Sequence, residues 1–457
     1  MTQLQRTLGP ILIWGLGVGY VISGMYFGWN LGLPLGGPFG LLAATVVVTV
    51  MYVAFVLAYA ELACAMPRAG GAFVYAHHAL GPTLGFVAGM AQCVEFVFAP
   101  PAIAAAIGAY VHLFAPGLHP LVIALGAYAL FTGLNAWGVR HSAIFELVVT
   151  VLAVGELLLF AGVTLPRFTW SAFAHDPLPH GWWGAFGAIP YAIWFYLAIE
   201  GVANVAEEAR SPQRDIPRGF LAAMATLVVL AALTFAGAVG VAGWEAVVYP
   251  PGSAEPSDSP LPLALGRVVG AAHPLYHLLI GIGLCGLVAS FHGILLVAGR
   301  ATMEMGRVGY APPLLGAVHA GRKTPIPALL VNFAIGGVAL LTGRTGDIIT
   351  ISVFGALTLY VLSMASVFAL RARHPDLARP YRTPGHPVVP AIALVLAAVC
   401  LVAVVVQAPL LAAIYTGLLA VGLVGWHLAV PRAARATAFG TLTDAPRVSS
   451  PPPASTT

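Results

Sequence analysis

Ala185-Phe186-Gly187-Ala188-Ile189-Pro190-Tyr191-Ala192-Ile193-Trp194-Phe195-Tyr196-Leu197-Ala198-Ile199-Glu200-Gly201-Val202-Ala203-Asn204-Val205-Ala206 is an apolar run long enough to cross a bilayer, yet it holds a carboxylate at Glu200. Placing that charge at the bilayer centre costs about 2.5–3.5 kcal/mol on insertion scales, so a functional role is the first expectation for it. Gly201 weakens the helix at the same point. Together, Glu200-Gly201 predict a helix broken inside the membrane, with a negative side chain and freed carbonyl groups able to hold a cation.

The chain around this run is of the same kind. Its 457 residues are 60% hydrophobic and 8% charged, where a soluble domain carries about 25% charged residues. That composition implies an all-α polytopic membrane protein. Met1-Thr2-Gln3 leads almost directly into a full-length span, so no cleavable signal peptide is expected. Apolar stretches of roughly 20 residues predict twelve spans near 11–33, 39–64, 85–114, 120–138, 143–165, 185–207, 219–243, 275–303, 325–342, 347–370, 388–406 and 410–430. With a cytoplasmic N-terminus, only Arg167, Arg267 and Arg344 of the 20 Lys and Arg residues fall on outer segments. That bias fixes the orientation, with both termini cytoplasmic. The basic excess then serves topology and gives no reason to expect nucleic-acid binding.

A second interrupted span sets the organisation. Span one carries Gly15, Gly17, Gly19, Gly24 and Gly28, with Ser23-Gly24 at mid-depth; Gly24 and Gly201 are 177 positions apart. The two breaks stand five spans apart, so the halves run with opposite topology, which points to a binding site between them at the membrane midplane. The expected units are a short N-terminus (1–10), a first repeat (11–166), a second repeat (183–370), two further spans (388–430) and a disordered tail (431–457) rich in Ala, Ser, Thr and Pro. The long outer segment Trp244 to Pro274 reads as a partly ordered cap whose acidic residues solvate it.

Cys64, Cys93, Cys285 and Cys400 lie in or at the ends of apolar spans without a Cys-x-x-Cys pair, and read as small apolar fillers. His273 and His277 stand four apart without a third ligand in view, so a solvated pair is expected rather than a metal site. His77-His78 read as surface residues. Neither a metal nor a cofactor is expected.

Several motifs together resemble one family. Gly17-Val18-Gly19-Tyr20-Val21-Ile22-Ser23-Gly24-Met25-Tyr26 resembles the first helix of the amino acid-polyamine-organocation (APC) superfamily, and Tyr59-Ala60-Glu61-Leu62 through Pro67-Arg68-Ala69-Gly70-Gly71 its second helix and following loop. Glu207-Glu208 through Pro217, Arg300 to Pro312 and Arg379-Pro380-Tyr381-Arg382-Thr383-Pro384 are similar to its later loops. Within the superfamily, Gly28 to Pro34, Val94-Glu95 through Pro101, Ala198 to Asn204 and Ser290-Phe291-His292-Gly293 resemble bacterial ethanolamine permeases. The resemblance implies a 5+5 inverted repeat of the sodium/leucine-transporter-like kind, with helices one and six broken at mid-membrane around a small substrate.

It also implies site residues. In amino acid members, amides at the helix-one break take the substrate carboxylate and carbonyls at the helix-six break take its ammonium, as helix dipoles favour. Ethanolamine lacks a carboxylate, so a compensating negative charge is expected, and Glu200 is placed to supply it. The alternative is a Glu200 that bonds neighbouring unwound amides. Ile199 and Gly201 line the same break. Glu95 is expected to face the cavity, as a substrate or proton site or as a buried partner of His292. Ser23 and Gly24 offer a hydroxyl and amides; Tyr20, Phe195 and Tyr196 either close the site or pack ordinarily. Glu156 is a protonation site or an interhelical contact, and Glu61 an inner-gate or packing residue. Ala153 occupies the position of the family's coupling lysine, and span eight shows Ser290 and Thr302 without an adjacent hydroxyl pair. Proton coupling through Glu95, Glu156 or Glu200 therefore stands beside uniport driven by membrane potential. The reading is a permease importing ethanolamine or a similar primary amine across the cytoplasmic membrane. An amino acid permease is the alternative within the class; a channel or an intramembrane enzyme finds no matching motif.

Overall fold

The computed structural model describes residues 7–67, 70–138 and 143–430. The expected tail and Arg68-Ala69 of the loop motif lie outside them. The described helices are α1 (Pro10–Val21), α2 (Ser23–Tyr26), α3 (Leu33–Ala65), α4 (Ala72–Leu80), α5 (Pro82–His112), α6 (Pro120–Trp137), α7 (Ala143–Thr164), α8 (Trp170–Phe173), α9 (Gly181–Trp194), α10 (Pro212–Ala242), α11 (Glu245–Val248), α12 (Pro260–Val269), α13 (Pro274–Arg307), α14 (Ile326–Leu341), α15 (Thr345–Arg373), α16 (Val388–Gln407) and α17 (Pro409–Ala429). No strand is present among the described residues. Lipid offers the backbone no partner, and the helix satisfies its own amides. Many of these helices start on proline, at Pro10, Pro82, Pro120, Pro212, Pro260, Pro274 and Pro409, where the missing N–H costs nothing.

Among the described residues, ten helical stretches are long and apolar enough to cross a membrane. Two shorter apolar helices, α1 and α14, stand where the sequence places spans one and nine. The apolar windows of α5 and α15 are 78% and 72% buried, whereas those of α16 and α17 are 28% and 17%. The first two therefore form the centre of the bundle and the last two its rim, with Val395, Val402, Leu410, Val421 and Leu428 turned outward.

Small residues let the central helices touch. A Cβ on Gly355 of α15 would stand 2.5 Å from the Ala91 carbonyl oxygen and 2.7 Å from the Glu95 amide nitrogen of α5. One on Gly24 would stand 2.3 Å from the Trp194 carbonyl oxygen. Such contacts are the means by which membrane helices gain dispersion energy where no hydrophobic force separates them from lipid.

Both expected interruptions are present, though not centred as the sequence suggests. The first helix turns at Ile22 between α1 and α2, then leaves helical geometry at Phe27 and Gly28, where Gly28 has φ +88°. Ser23 and Gly24 are themselves helical. In the sixth, α9 ends at Trp194 and Ala198 adopts φ +74°, after which Ile199–Glu208 winds as a 3₁₀-helix. Glu200 thus opens the second half of this span, two residues after the turn. Gly201 faces the Tyr20 ring, with 3.3 Å to a modest Cβ.

At one end of the bundle, Leu8 pairs with Ala209, and the Leu8 amide donates to the Glu208 carbonyl. At the other, the Thr345 hydroxyl at the start of α15 donates to Asp258 at 2.9 Å. The Asn30 amide group also reaches the Ser257 carbonyl at 2.8 Å. The segment from Trp244 to Pro274 is thereby held down through Asp258, which does more than solvate it. Burial raises the Asp258 carboxyl to about 6, with the Thr345 hydroxyl pulling the other way. His77 corrects another expectation: it is buried in α4, its Nδ1 pairs with the Tyr310 hydroxyl, and burial lowers it to about 4. His273 and His277 are exposed as expected, His273 capping α13 by accepting from the Leu275 amide at 3.1 Å.

Candidate functional site

The turn at Ala198 brings Glu200 to the middle of the bundle, where it is 3% exposed and Glu95 of α5 is fully buried. Their side chains stand within hydrogen-bonding reach of one another. Two ionised carboxylates have no donor to share, so that contact is favourable only with a proton between them. The Ala198 amide lies near Glu95, and the Glu200 amide near its own side chain. Among the described residues no arginine or lysine pairs with either group.

Glu200 has one well-formed bond: the Tyr360 hydroxyl of α15 donates to its Oε2 at 2.9 Å. The Tyr52 hydroxyl of α3 lies 3.1 Å from that of Tyr360. Around these two the rings of Phe55, Tyr59 and Tyr196 close an aromatic wall, with Phe55 4.4 Å from Tyr360 and 4.9 Å from Tyr59, and Tyr52 5.2 Å from Tyr196. The Tyr196 hydroxyl meets Thr49 Oγ1 at 2.8 Å. An acid pair bordered by a tyrosine hydroxyl and a cluster of aromatic side chains favours an organic cation over an anion.

The remaining expected residues distribute around this centre. The Tyr20 ring packs on Gly201 and on Gly293 of α13, and its carbonyl accepts from the Ser290 hydroxyl at 2.9 Å. The Ser290 hydroxyl also meets Ser23 Oγ at 2.9 Å, which ties the first helix to α13. Phe195 stacks on Trp29 at 5.8 Å, and Ile199 lies against the Gly17 face of α1. Glu95 meets Glu200 in place of the suggested His292; His292 lies edge-on to Phe131 at 5.7 Å. Glu156 Oε2 accepts from the Tyr26 hydroxyl at 2.8 Å, an interhelical contact beside a cavity of about 10 Å³ that Tyr110 and Leu261 also line, the space of one water. Ala153 offers Tyr26 its carbonyl at 3.3 Å. Thr302 bonds Asn332 at 3.0 Å, away from Ser290.

Glu61 is the opposite case, a carboxylate with every lone pair in use. Arg371 of α15 grips it in a two-pronged contact at 2.9 and 2.6 Å, the Thr383 amide and hydroxyl both donate to Oε2 at 2.7 Å, and Arg379 Nε lies 3.4 Å from Oε1. The cluster ties α3, α15 and the loop after α15 together.

Tyr360, Tyr52 and Glu146 are absent from the expected set. Glu146 had the same signal as Glu200, a carboxylate within an apolar span, but stands only three residues inside the start of α7. Tyr360 and Tyr52 had none, because an aromatic residue in a membrane helix is ordinary.

Residues 11–427 match the amino acid permease family. An uncharacterized transporter of Rhizobium meliloti is 31% identical over 406 residues, covering 86% of this chain and 85% of its own. A branched-chain amino acid permease of Bacillus subtilis is 26% identical over 431 residues, covering 86% of each. A methylthioribose transporter of the same organism is 28% identical over 434 residues, covering 87% of this chain and 88% of its own. The chain belongs to the amino acid permease family of the APC superfamily, multi-pass membrane transporters of small molecules.

Proposed function

We propose that this transporter carries a small organic ammonium ion, with ethanolamine as the leading candidate, by alternating access across the cytoplasmic membrane. The observation that carries the reading is the buried Glu95–Glu200 pair, which has no basic partner among the described residues and lies beside a cluster of aromatic side chains. A zwitterion brings its own carboxylate, for which two acidic groups are poor neighbours. A monocation lets one carboxylate neutralise it while the other keeps its proton. Glu200 is the primary ammonium partner; Tyr20, Ser23, Gly24, Ile199, Gly201 and Tyr196 frame the path beside it.

In this reading α1 and α14 complete twelve crossings, and the two interrupted helices relate the halves as five plus five. The ends carrying Glu61 and Leu8 face the cytoplasm, following the excess of arginine there. Glu61 with Arg371 is then an inner latch, and Glu95, Glu156 and Glu200 are candidates for a coupled proton.

The family's description and the name of one relative, the branched-chain amino acid permease, favour a second reading, an amino acid permease. Proteoliposomes loaded with the purified chain decide between them. Uptake of radiolabelled ethanolamine that resists excess leucine and alanine supports the amine reading. Leucine uptake, with ethanolamine inert as a competitor, overturns it in favour of the second.

A further inference from the structure

A carboxylate outside the acid pair is equally buried. Glu146 of α7 is 1% exposed, and among the described residues neither Oε1 nor Oε2 has a hydrogen-bond partner. It lies where three helices meet. A Cβ on Gly19 of α1 would stand 2.4 Å from Glu146 Oε1, and one on Gly293 of α13 would stand 4.0 Å from the same atom. The nearby Thr150 hydroxyl is committed elsewhere, donating to the Gly15 carbonyl at 3.1 Å. An anion there would lose its hydration with nothing in return, a cost of several kcal/mol that proteins avoid by neutralising the group.

We infer that Glu146 is a proton-binding site of the transport cycle, loaded while α1, α7 and α13 are packed together and released when α1 moves away. The glycines make this pocket depend on the position of α1. Only a backbone without a side chain at residue 19 approaches the carboxyl this closely, so a displacement of α1 admits water to Glu146. The pocket is also joined to the acid pair. Tyr20, the titratable group that senses Glu146, packs on both Gly293 and Gly201, the residue after Glu200. Arg300 of α13 and Glu208 also act on Tyr20 electrostatically. Among the described residues, no charged group of α1, α10, α12 or α13 acts on Glu146 itself. His292, the neighbour of Gly293, packs on Phe131. The inference rests on the family's transport activity and not on the identity of the amine.

Infrared difference spectroscopy of the purified protein across a pH titration tests it without any substrate. The wild type is expected to show a protonated-carboxyl carbonyl band that Glu146→Gln removes and Glu146→Asp shifts. An unchanged band in Glu146→Gln overturns the inference, and Glu146→Asp keeps the test alive should the Gln variant fail to fold. In proteoliposomes, with ethanolamine and leucine as probes, the ratio of uptake with and without an inward pH gradient is expected to fall to unity in Glu146→Gln. A Glu146→Gln variant that still responds to the pH gradient overturns the inference, as does a wild type driven by sodium in its place. Failure of both probes in the wild type would sink the amine reading, while the infrared result still judges Glu146.

Discussion

Two acidic centres in this bundle are built on opposite plans. Glu61 is gripped by Arg371, flanked by Arg379 and capped by Thr383, so its charge is cancelled within the protein. Glu95 and Glu200 meet each other, the Tyr360 hydroxyl and nearby backbone amides, with no arginine or lysine among the described residues. A carboxylate already paired with arginine has little to offer a passing cation. One held beside a second acid changes state readily when a proton or an ammonium ion arrives. The first plan suits a latch between helices and the second a binding centre.

Substitutions can break this contrast, and the largest effect is expected at the centre. Glu200→Gln removes the ammonium partner in a water-poor site, worth about 3 kcal/mol or more, so apparent ethanolamine affinity should fall roughly 100-fold while the thermal midpoint holds. Near-normal binding by the variant would place Glu200 with Glu61 as a structural acid. Glu61→Ala should do the reverse, leaving Arg371 and Arg379 facing a buried void. With Arg371 about a quarter exposed, a destabilisation of about 2 kcal/mol is expected, visible as a lower melting temperature in detergent. A variant that melts like the wild type would show that the latch carries no load. Tyr360→Phe sharpens the comparison, since it deletes only the hydroxyl that donates to Glu200. Loss of about 1 kcal/mol predicts roughly a five-fold weaker affinity by titration calorimetry, and no change would assign Tyr360 to packing.

The smallest effect concerns the outer segment. The folded Asp258 carboxyl titrates near 6, above its ordinary 3.8, so the folded state holds its proton more tightly than the unfolded one. Docking of the segment should therefore be firmest in acid and weaken as pH rises from about 4 to about 6, then level off. Hydrogen exchange at residues 253–260 should follow that curve, and Asp258→Asn should flatten it. Exchange independent of pH in the wild type would remove Asp258 as the anchor.

Much of this was legible in the sequence for one physical reason: lipid punishes charge, so Glu200 and Glu95 stand out from the apolar runs that hold them. The same rule marked Glu146, which its place near the start of a span disguised. The partners were not legible. Tyr360 lies 160 positions from Glu200 and Tyr52 lies 308 from Tyr360, and nothing local distinguishes them from packing aromatics. The interruptions were visible as glycines, but their centres fell at Phe27-Gly28 and Ala198. Contacts between helices decide which weak point yields, as Gly24 against the Trp194 carbonyl illustrates. Glu61 stood out near the end of a span, yet its arginines come from a helix and a loop more than 300 positions away.

The stretch Ile199–Glu208 holds one more consequence. Ten residues wound as 3₁₀ at about 2.0 Å per residue extend some 5 Å farther than the same residues at the α-helical rise of about 1.5 Å. Rewinding them would draw Glu208, and with it the Thr7 and Leu8 amides bonded to its carbonyl, toward Glu200. A rewound segment would thus shorten the tether between Glu200 and the chain's beginning by about the rise of one α-helical turn.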